Sequence, residues 1–224
     1  MMLSDRLLIL VTVALIGGCS ADHDSDSPEE LSDTSLPGVY TGTFPCDGCP
    51  GIQTTLWLRS DGRFFIRQRF PGDDGGEAMN AYNLGRWSWI AGDDVLVLNG
   101  AGPARTFARP DFDTLLMRTH SDIEHRLSRD PTSPEFSSTI TMAGMMSMHG
   151  GSTSFAECLT GFAAPVEQGA EFDRFLHQYR SAGGRGKPVY AELEGRFIWA
   201  EDGALKLISI ERFITIKTGR SCGS

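Results

Sequence analysis

The residues of this chain that are best suited to chemistry are its five cysteines. They stand at Cys19, at the closely spaced pair Cys46 and Cys49, and at Cys158 and Cys222. A thiol can be acylated, can join another thiol as a disulfide, or can bind a soft metal ion. In an oxidising compartment, one acylated cysteine and two disulfides would use all five without remainder.

The N-terminal residues indicate export and acylation. Arg6 precedes the apolar run 7–16. A helix of about ten residues covers only ~15 Å of a ~30 Å hydrocarbon core, so this run is typical of a signal peptide rather than a membrane span. The segment Ile16-Gly17-Gly18-Cys19 resembles a lipobox, which predicts a signal peptide at 1–18 and a fatty acid such as palmitate on Cys19. The alternative is an ordinary signal peptide followed by an incidental cysteine.

The residues after Cys19 predict the membrane and the tether. More than one acyl chain on one residue gives stable anchoring. In bacterial lipoproteins an Asp at the next position favours retention in the inner membrane, and this chain has Ser20 there. We therefore expect attachment to the outer membrane on its periplasmic side. Residues 19–36 are acidic and poor in large apolar side chains, which predicts a flexible tether of at most ~60 Å.

Length and charge narrow the class of protein. Without signal peptide and tether, a chain of 224 residues leaves room for one large or two small domains. The formal net charge is −9. An acidic, exported protein is a poor partner for nucleic acid, so we expect no nucleic-acid ligand.

The pattern from residue 37 to 129 predicts a β-barrel. Short segments of alternating polarity are separated by turn signals such as Asp61-Gly62. A series of this kind indicates an antiparallel meander closed into a barrel. Phe64 and Ile66 share one face of their strand, whereas Phe65 lies between arginines on a face that we expect to be wet. Strands are expected at 52–59, from 63 onward, and at 85–90, 95–99, 105–108 and 114–118.

A second domain is predicted at 135–224. The segment 130–134 contains two prolines and reads as a linker. Apolar residues at 172, 175, 176 and 179 have the spacing of an amphipathic helix. Three strands, a helix and two strands is the order of an OB-fold. The strands are expected at 138–148, 155–158, 164–166, 189–199 and 205–217. The predicted fold class is therefore all-β with one helix.

Several of these segments resemble the NlpE lipoprotein family. The opening PGVYTGTFPCDGCPGI at 37–52 places a CxxC pair after a Gly-x-Tyr-x-Gly strand, as in that family's N-terminal domain. Residues 56–64 and 85–89 continue the likeness. In the second half, the segments similar to the family's C-terminal OB-fold domain are 142–145, 155–161, 188–190 and 194–197.

The resemblance implies both a fold and a function. It implies a lipocalin-like first barrel, and a periplasm-facing outer-membrane lipoprotein that is linked to copper tolerance. It also implies signalling to the Cpx sensor kinase of the inner membrane after surface contact, faulty lipoprotein traffic or failed disulfide formation. This chain departs from the family in its long acidic tether and in the Met-rich first strand of its second domain.

Cys158 and Cys222 are the candidate structural disulfide. Closing a loop of about sixty residues is worth roughly 4 kcal/mol in the chain-entropy model, which is comparable to the stability of a small domain. Two roles stay open. The bond is either a switch whose reduction opens the domain and presents a hidden surface, or a plain staple.

For Cys46 and Cys49, stability is a poor reason for a disulfide. A four-residue ring is worth at most about 2 kcal/mol in the same model. A thioredoxin-like role needs a helix after the pair, but Pro50-Gly51-Ile52 leads into a strand. Zinc would need a second pair of ligands. A passive disulfide, redox exchange and copper(I) capture stay open.

Met145, Met146, Met148 and His149 are the second candidate metal set. Thioether and imidazole groups together suit copper(I). On one strand, however, Met146 and Met148 face one way while Met145 and His149 face the other, and packing in the core is the alternative. Copper(I) is thus a possible ligand, and no other cofactor is expected.

The sequence contains no His-Glu-x-x-His and no Gly-rich phosphate loop before a helix. Residues 219–223 match Gly-x-Ser-x-Gly in letters, but no helix is predicted after them, so they do not form the strand-to-helix turn that a nucleophilic serine needs. We therefore expect a non-enzymatic envelope lipoprotein that senses stress or surface contact and signals by contact. The alternatives are a copper-binding lipoprotein, or a carrier whose barrel holds a small apolar ligand. An open barrel would favour the carrier, and a barrel filled by side chains would exclude it.

Overall fold

A computed structural model describes residues 35–72, 76–119, 123–133, 136, 138–182, 184 and 186–223. The predicted signal peptide, Cys19 and the predicted tether as far as residue 34 lie outside these residues. Within the described part of the chain, no helix is long and apolar enough to cross a membrane.

The first domain is a closed barrel of eight antiparallel strands in up-and-down order. The ring closes where the first strand pairs with the eighth, with Tyr40 opposite Arg129. These two strands approach so closely that a Cβ atom at Gly42 would lie 2.2 Å from the carbonyl oxygen of Arg126. The strands are β1 (Gly38–Phe44), β2 (Ile52–Leu58), β3 (Arg63–Phe70), β4 (Met79–Ile90), β5 (Val95–Gly100), β6 (Arg105–Asp111), β7 (Thr114–Met117) and β8 (Arg126–Arg129).

Side chains fill the barrel. Because side chains alternate along a strand, each strand sends every second residue inward. The inward residues are mostly large and apolar, and they form one buried cluster. Its members are Leu36, Tyr40, Phe44, Leu56, Leu58, Phe64, Ile66, Leu96, Leu98, Phe107, Leu115 and Leu127. This packing argues against the carrier alternative, which needs an open lumen.

The predicted tether extends too far into the chain. The prediction places residues 19–36 in the tether, but Leu36 is completely buried in the barrel core. The hydroxyl of Tyr40 donates a hydrogen bond to the carbonyl oxygen of Leu36 over 2.8 Å. The sequence pattern missed this because a single apolar residue next to Pro37 carries no periodicity.

Two further strand predictions for the barrel need correction. Strand β4 begins at Met79 instead of residue 85, and β8 has no counterpart among the predicted strands. The first three residues of β4 are exposed, and β8 has the sequence RLSR with only Leu127 apolar. Both segments are strands because neighbouring strands pair with them, which a local polarity pattern does not report.

The second domain is a five-stranded sheet in the order β11-β10-β9-β12-β13. Its two edges meet where Val166 forms a parallel bridge with Ile208. This order, with parallel contact between the third and fifth strands and a helix between the third and fourth, confirms the predicted OB-fold. The elements are β9 (Ile140–His149), β10 (Ser152–Glu157), β11 (Ala163–Pro165), α1 (Ala170–Ser181), β12 (Val189–Trp199) and β13 (Leu205–Lys217).

Helix α1 forms where the spacing predicts it. Phe172, Phe175 and Tyr179 are buried against the sheet, and the rings of Phe175 and Phe213 meet edge to face at 5.6 Å. The carboxylate of Glu171 accepts a hydrogen bond from the backbone N–H of Phe213 over 3.0 Å, which covers an exposed edge of β13. The helix thus caps the barrel-like sheet and shields its edge.

The expected wet face of the first barrel is wrong at its most apolar positions. Trp57, Phe65 and Leu84 point away from the barrel interior, yet all three are buried. They belong to the same hydrophobic cluster as the core of the second domain. The outer wall of one domain is therefore part of the core of the other.

Candidate functional site

Cys46 and Cys49 form a disulfide in the turn between β1 and β2, with their Cα atoms 5.6 Å apart. The turn uses a positive φ of 70° at Gly48 and of 125° at Gly51, which glycine tolerates and other residues rarely adopt. Both cysteines are half-buried at the surface. Because a disulfide has no thiolate to offer, this oxidised pair cannot act as a copper ligand until it is reduced.

The Met-rich strand β9 does not gather its predicted ligands. Met146 is completely buried in the core of the second domain, and Met148 packs against that core. Met145 is half-buried and His149 is exposed, and both have the opposite parity on the strand. Among the described residues, no group of three or more His, Cys, Asp or Glu side chains could hold a metal ion.

Cys158 and Cys222 form the second disulfide, with Cα atoms 5.3 Å apart and a sequence separation of 64 residues. Cys158 directly follows β10, and its backbone N–H donates to the carbonyl oxygen of Ala143 on β9 over 2.9 Å. Cys222 is exposed and lies beyond the last strand. The bond therefore ties the C-terminal tail to the turn between β10 and β11.

That turn is held rigidly by a buried carboxylate. Glu157 accepts hydrogen bonds from the backbone N–H of Leu159 at 3.1 Å and of Thr160 at 2.6 Å. It also accepts one from the hydroxyl of Thr160 at 2.6 Å. A carboxylate with three donors is well satisfied although it is buried, so the turn has one defined shape.

Two arginines hold the entry of the chain into the first barrel. Arg109 is 2% exposed and donates to the Ser35 hydroxyl at 2.8 Å and to the Phe112 carbonyl at 3.2 Å. Arg129 donates to the carbonyl oxygens of Ser35 and Pro37 at 2.6 and 2.8 Å. These contacts fix residues 35–37 at the point where the predicted tether joins the folded domain. Sequence reasoning missed Arg109, although it has the inward parity of Phe107 on the same strand.

Sequence reasoning also missed the aromatic residues between the two domains. Trp57 and Phe65 lie on the face assigned to solvent, and Trp199 stands at the end of β12, with its ring 5.6 Å from that of Trp57. Two large aromatic side chains on the outward face of neighbouring strands were the available signal, since exposed apolar patches mark interaction surfaces.

Known proteins are similar to this chain both in its first domain and over most of its length. A model of the NlpE N-terminal domain matches residues 40–124. Lipoprotein NlpE of Escherichia coli (strain K12) is 28% identical over 199 residues, which cover 85% of this chain and 82% of that protein. The crystal structure of the Cpx pathway activator NlpE from Escherichia coli matches at 25% identity over 84% of this chain and 100% of that chain, with a TM-score of 0.36.

The similarity to NlpE rests on the two sequence matches. The family model covers most of the first barrel, and a match over 85% of the chain must extend well into the second domain. The resemblance noted in the sequence is thereby confirmed. The chain is similar to Lipoprotein NlpE over most of its length, and its residues 40–124 match the model of the NlpE N-terminal domain.

Proposed function

We propose that this chain is an outer-membrane lipoprotein, anchored through acylated Cys19, that senses envelope stress and signals by contact to an inner-membrane sensor kinase. The observation that carries the proposal is the similarity to Lipoprotein NlpE over 85% of the chain. The relative with a crystal structure is described as a Cpx pathway activator. A barrel filled with side chains is compatible with a role in contact rather than in the transport of a small ligand.

A transcriptional reporter of the Cpx pathway tests the signalling role. We expect overproduction of the full chain in a Gram-negative host to raise the reporter severalfold. The Cys19→Ala variant is the matched control, because it keeps both folded domains and removes the acylated thiol. An unchanged reporter with the wild-type chain would contradict the signalling role.

The lipid anchor has its own test. Cells that express the chain are grown with radiolabelled palmitate, and the membranes are separated by density. We expect label in the wild-type protein in the outer-membrane fraction and none in Cys19→Ala. A labelled protein in the inner-membrane fraction would support acylation of Cys19 but contradict the proposed location in the outer membrane.

We also propose that the bond between Cys158 and Cys222 reports failed disulfide formation. It joins an exposed tail cysteine to a rigid turn, and the long loop it closes makes it a main source of stability for the second domain. We expect reductant to lower the thermal midpoint of the full chain clearly. An unchanged midpoint would leave a plain staple as the role of the bond.

The copper link is proposed at Cys46 and Cys49 in their reduced form. The pair lies at the surface, and two thiolates are good ligands for copper(I). Titration of copper(I) against the reduced mature protein and Cys46→Ser/Cys49→Ser should show binding that the variant loses. Equal binding by both proteins would move the site to the methionines of β9, and background binding by both would remove the metal claim.

A further inference from the structure

The outer wall of the first barrel carries a buried aromatic surface. We call it the barrel wall and define it by the outward side chains of Val39, Trp57, Phe65, Tyr82 and Leu84. Phe65 is 0% exposed and Trp57 is 6% exposed, although neither faces the barrel interior. Their rings stack on each other with centroids 5.5 Å apart. Such a surface would be an unusually apolar patch if nothing covered it.

The second domain and the segment before β9 cover the barrel wall with aromatic side chains. Phe136, which lies between β8 and β9, stacks on Phe65 at 5.3 Å, and Phe197 from β12 meets Phe65 at 5.5 Å. Trp199 meets Trp57 edge to face at 5.6 Å. The groups that pack against the barrel wall are therefore aromatic rings.

The β2–β3 turn adds polar contacts at the edge of the wall. Arg59 donates to the carbonyl oxygen of Gly203 over 2.8 Å, and Arg63 donates to that of Thr160 over 2.8 Å. The carboxylate of Asp61 lies 3.0 Å from Arg59 and 3.5 Å from Arg63, so it orients both guanidinium groups. We call Arg59, Asp61 and Arg63 the latch.

Each latch arginine also lies over an aromatic ring of the second domain. The guanidinium carbon of Arg59 is 4.1 Å from the ring centroid of Trp199, and that of Arg63 is 4.1 Å from that of Phe162. Cation–π contacts of this kind are strongest where water is excluded. The wall and the latch together therefore recognise an aromatic side chain beside an accessible backbone carbonyl, which is a feature of protein loops and hairpins.

The segment that joins the two domains is long enough to let them separate while both stay folded. It comprises the ten residues between Arg129 and Ile140, and a segment of this length reaches up to ~35 Å when extended. The turn that offers Thr160 to Arg63 begins at Cys158, so this contact lies next to the disulfide.

We propose that the barrel wall and the latch form a docking surface for a partner protein, and that the second domain occupies this surface as an intramolecular competitor. The partner presents aromatic side chains next to backbone carbonyl groups, as the second domain does. Release of the second domain makes the wall available. This inference rests on the proposed signalling by contact and names the surface that makes the contact.

The test opens the contact from the side of the second domain, so that the wall and the latch stay intact. Phe162→Ala/Trp199→Ala removes two rings that seat on the first barrel. Hydroxyl-radical footprinting of the full chain then measures the exposure of Trp57 and Phe65 on the wall. Phe64 and Phe107 inside the barrel are internal controls, because they should stay protected as long as the barrel is folded.

We expect labelling of Trp57 and Phe65 to rise severalfold in the double variant while Phe64 and Phe107 stay unlabelled. The matched control is Arg67→Ala, an exposed position two residues beyond Phe65 on β3, which should label as the wild type does. Unchanged labelling of the wall, or equal labelling of the wall and the interior, would contradict the inference.

A second readout connects the exposed wall to its partner. The double variant should raise the Cpx reporter at a low expression level at which the wild type is silent. Adding Phe65→Ser should abolish that rise if the wall is the docking surface, and a rise that persists would overturn the inference. A reporter that answers overproduced wild type but not the opened variant would contradict this inference alone. A reporter silent in every case would contradict both it and the proposed function.

Discussion

The two disulfides should contribute differently to stability because they close rings of very different size. Cys46 and Cys49 are three positions apart, whereas Cys158 and Cys222 are 64 apart. In the chain-entropy model the stabilisation grows with the logarithm of the ring size. The long ring should therefore dominate stability, and the short ring is better suited to chemistry at the surface.

The first prediction compares the two bonds in the full chain. We expect Cys158→Ser/Cys222→Ser to lower the free energy of unfolding by about 4 kcal/mol, and Cys46→Ser/Cys49→Ser by at most about 2 kcal/mol. Urea denaturation followed by circular dichroism measures both. Equal losses would show that ring size does not govern these bonds.

A second residue-scale feature is the buried phenol of Tyr40. Burial raises its pKa, and this outweighs Arg129 and Arg109, which lower it. Folding therefore favours the neutral, protonated phenol. Its contribution to stability is fully present below the pKa of the unfolded chain and is lost as pH rises through the higher pKa of the folded state.

The second prediction follows from that sign. Tyr40→Phe removes the donor to the Leu36 carbonyl and should cost about 1 kcal/mol at neutral pH. It should also flatten the decline in the free energy of unfolding above about pH 10, where the phenol of the unfolded chain titrates. Urea denaturation across this range compares the variant with the wild type. An identical decline in both would show that Tyr40 does not contribute.

At the scale of elements, glycines inside strands allow close approach. Gly144 lies in the middle of β9, where a Cβ atom would be 2.2 Å from the carbonyl oxygen of Ala156 and 2.6 Å from the ring of Phe155. The Ala156 backbone and the Phe155 ring cannot both move away from an added methyl group without loss of stability. The close pairing of β9 with β10 thus depends on this glycine.

The third prediction uses that crowding. Gly144→Ala should lower the free energy of unfolding by about 1–3 kcal/mol, because it overpacks the second domain. Gly92→Ala is the matched control, since nothing lies within 4 Å of its added Cβ, and it should stay within about 0.5 kcal/mol of wild type. Thermal denaturation distinguishes the two. A neutral Gly144→Ala would mean that β9 can shift freely.

At the scale of the whole molecule, the two domains share one hydrophobic cluster. Phe65 on the first barrel meets Phe136, Phe162, Phe197 and Trp199, at centroid distances between 5.3 and 6.4 Å. A shared cluster couples the stability of the domains, since neither can unfold without exposing part of the other. Separate domains joined only by a linker would unfold independently.

The fourth prediction tests this coupling. Phe65→Ala should cost about 3 kcal/mol, as a core position does, although it points away from its own barrel. Arg67→Ala on the same face should cost less than about 0.5 kcal/mol. Calorimetry should show one transition for the wild type and two for Phe65→Ala. Two transitions in the wild type would refute the shared core.

Features that depend on the local order of residues could be predicted from the sequence. Period-two alternation placed most strands, and the spacing of Phe172, Phe175 and Tyr179 placed α1. The order of elements led to the OB-fold, and the segments around Cys46 and Cys158 led to the NlpE family. These features could be read because neighbouring residues in the chain carry the whole signal.

The sequence pattern could not predict which face of a strand is buried. Alternation shows that Phe64 and Phe65 point to opposite sides, but it does not show that a second domain covers one of those sides. The same holds for Leu36, which is buried by strands distant in sequence, and for Arg109, which is buried against Ser35. Burial is a property of what lies opposite a residue in space, and a local pattern contains no record of a contact made across a hundred residues.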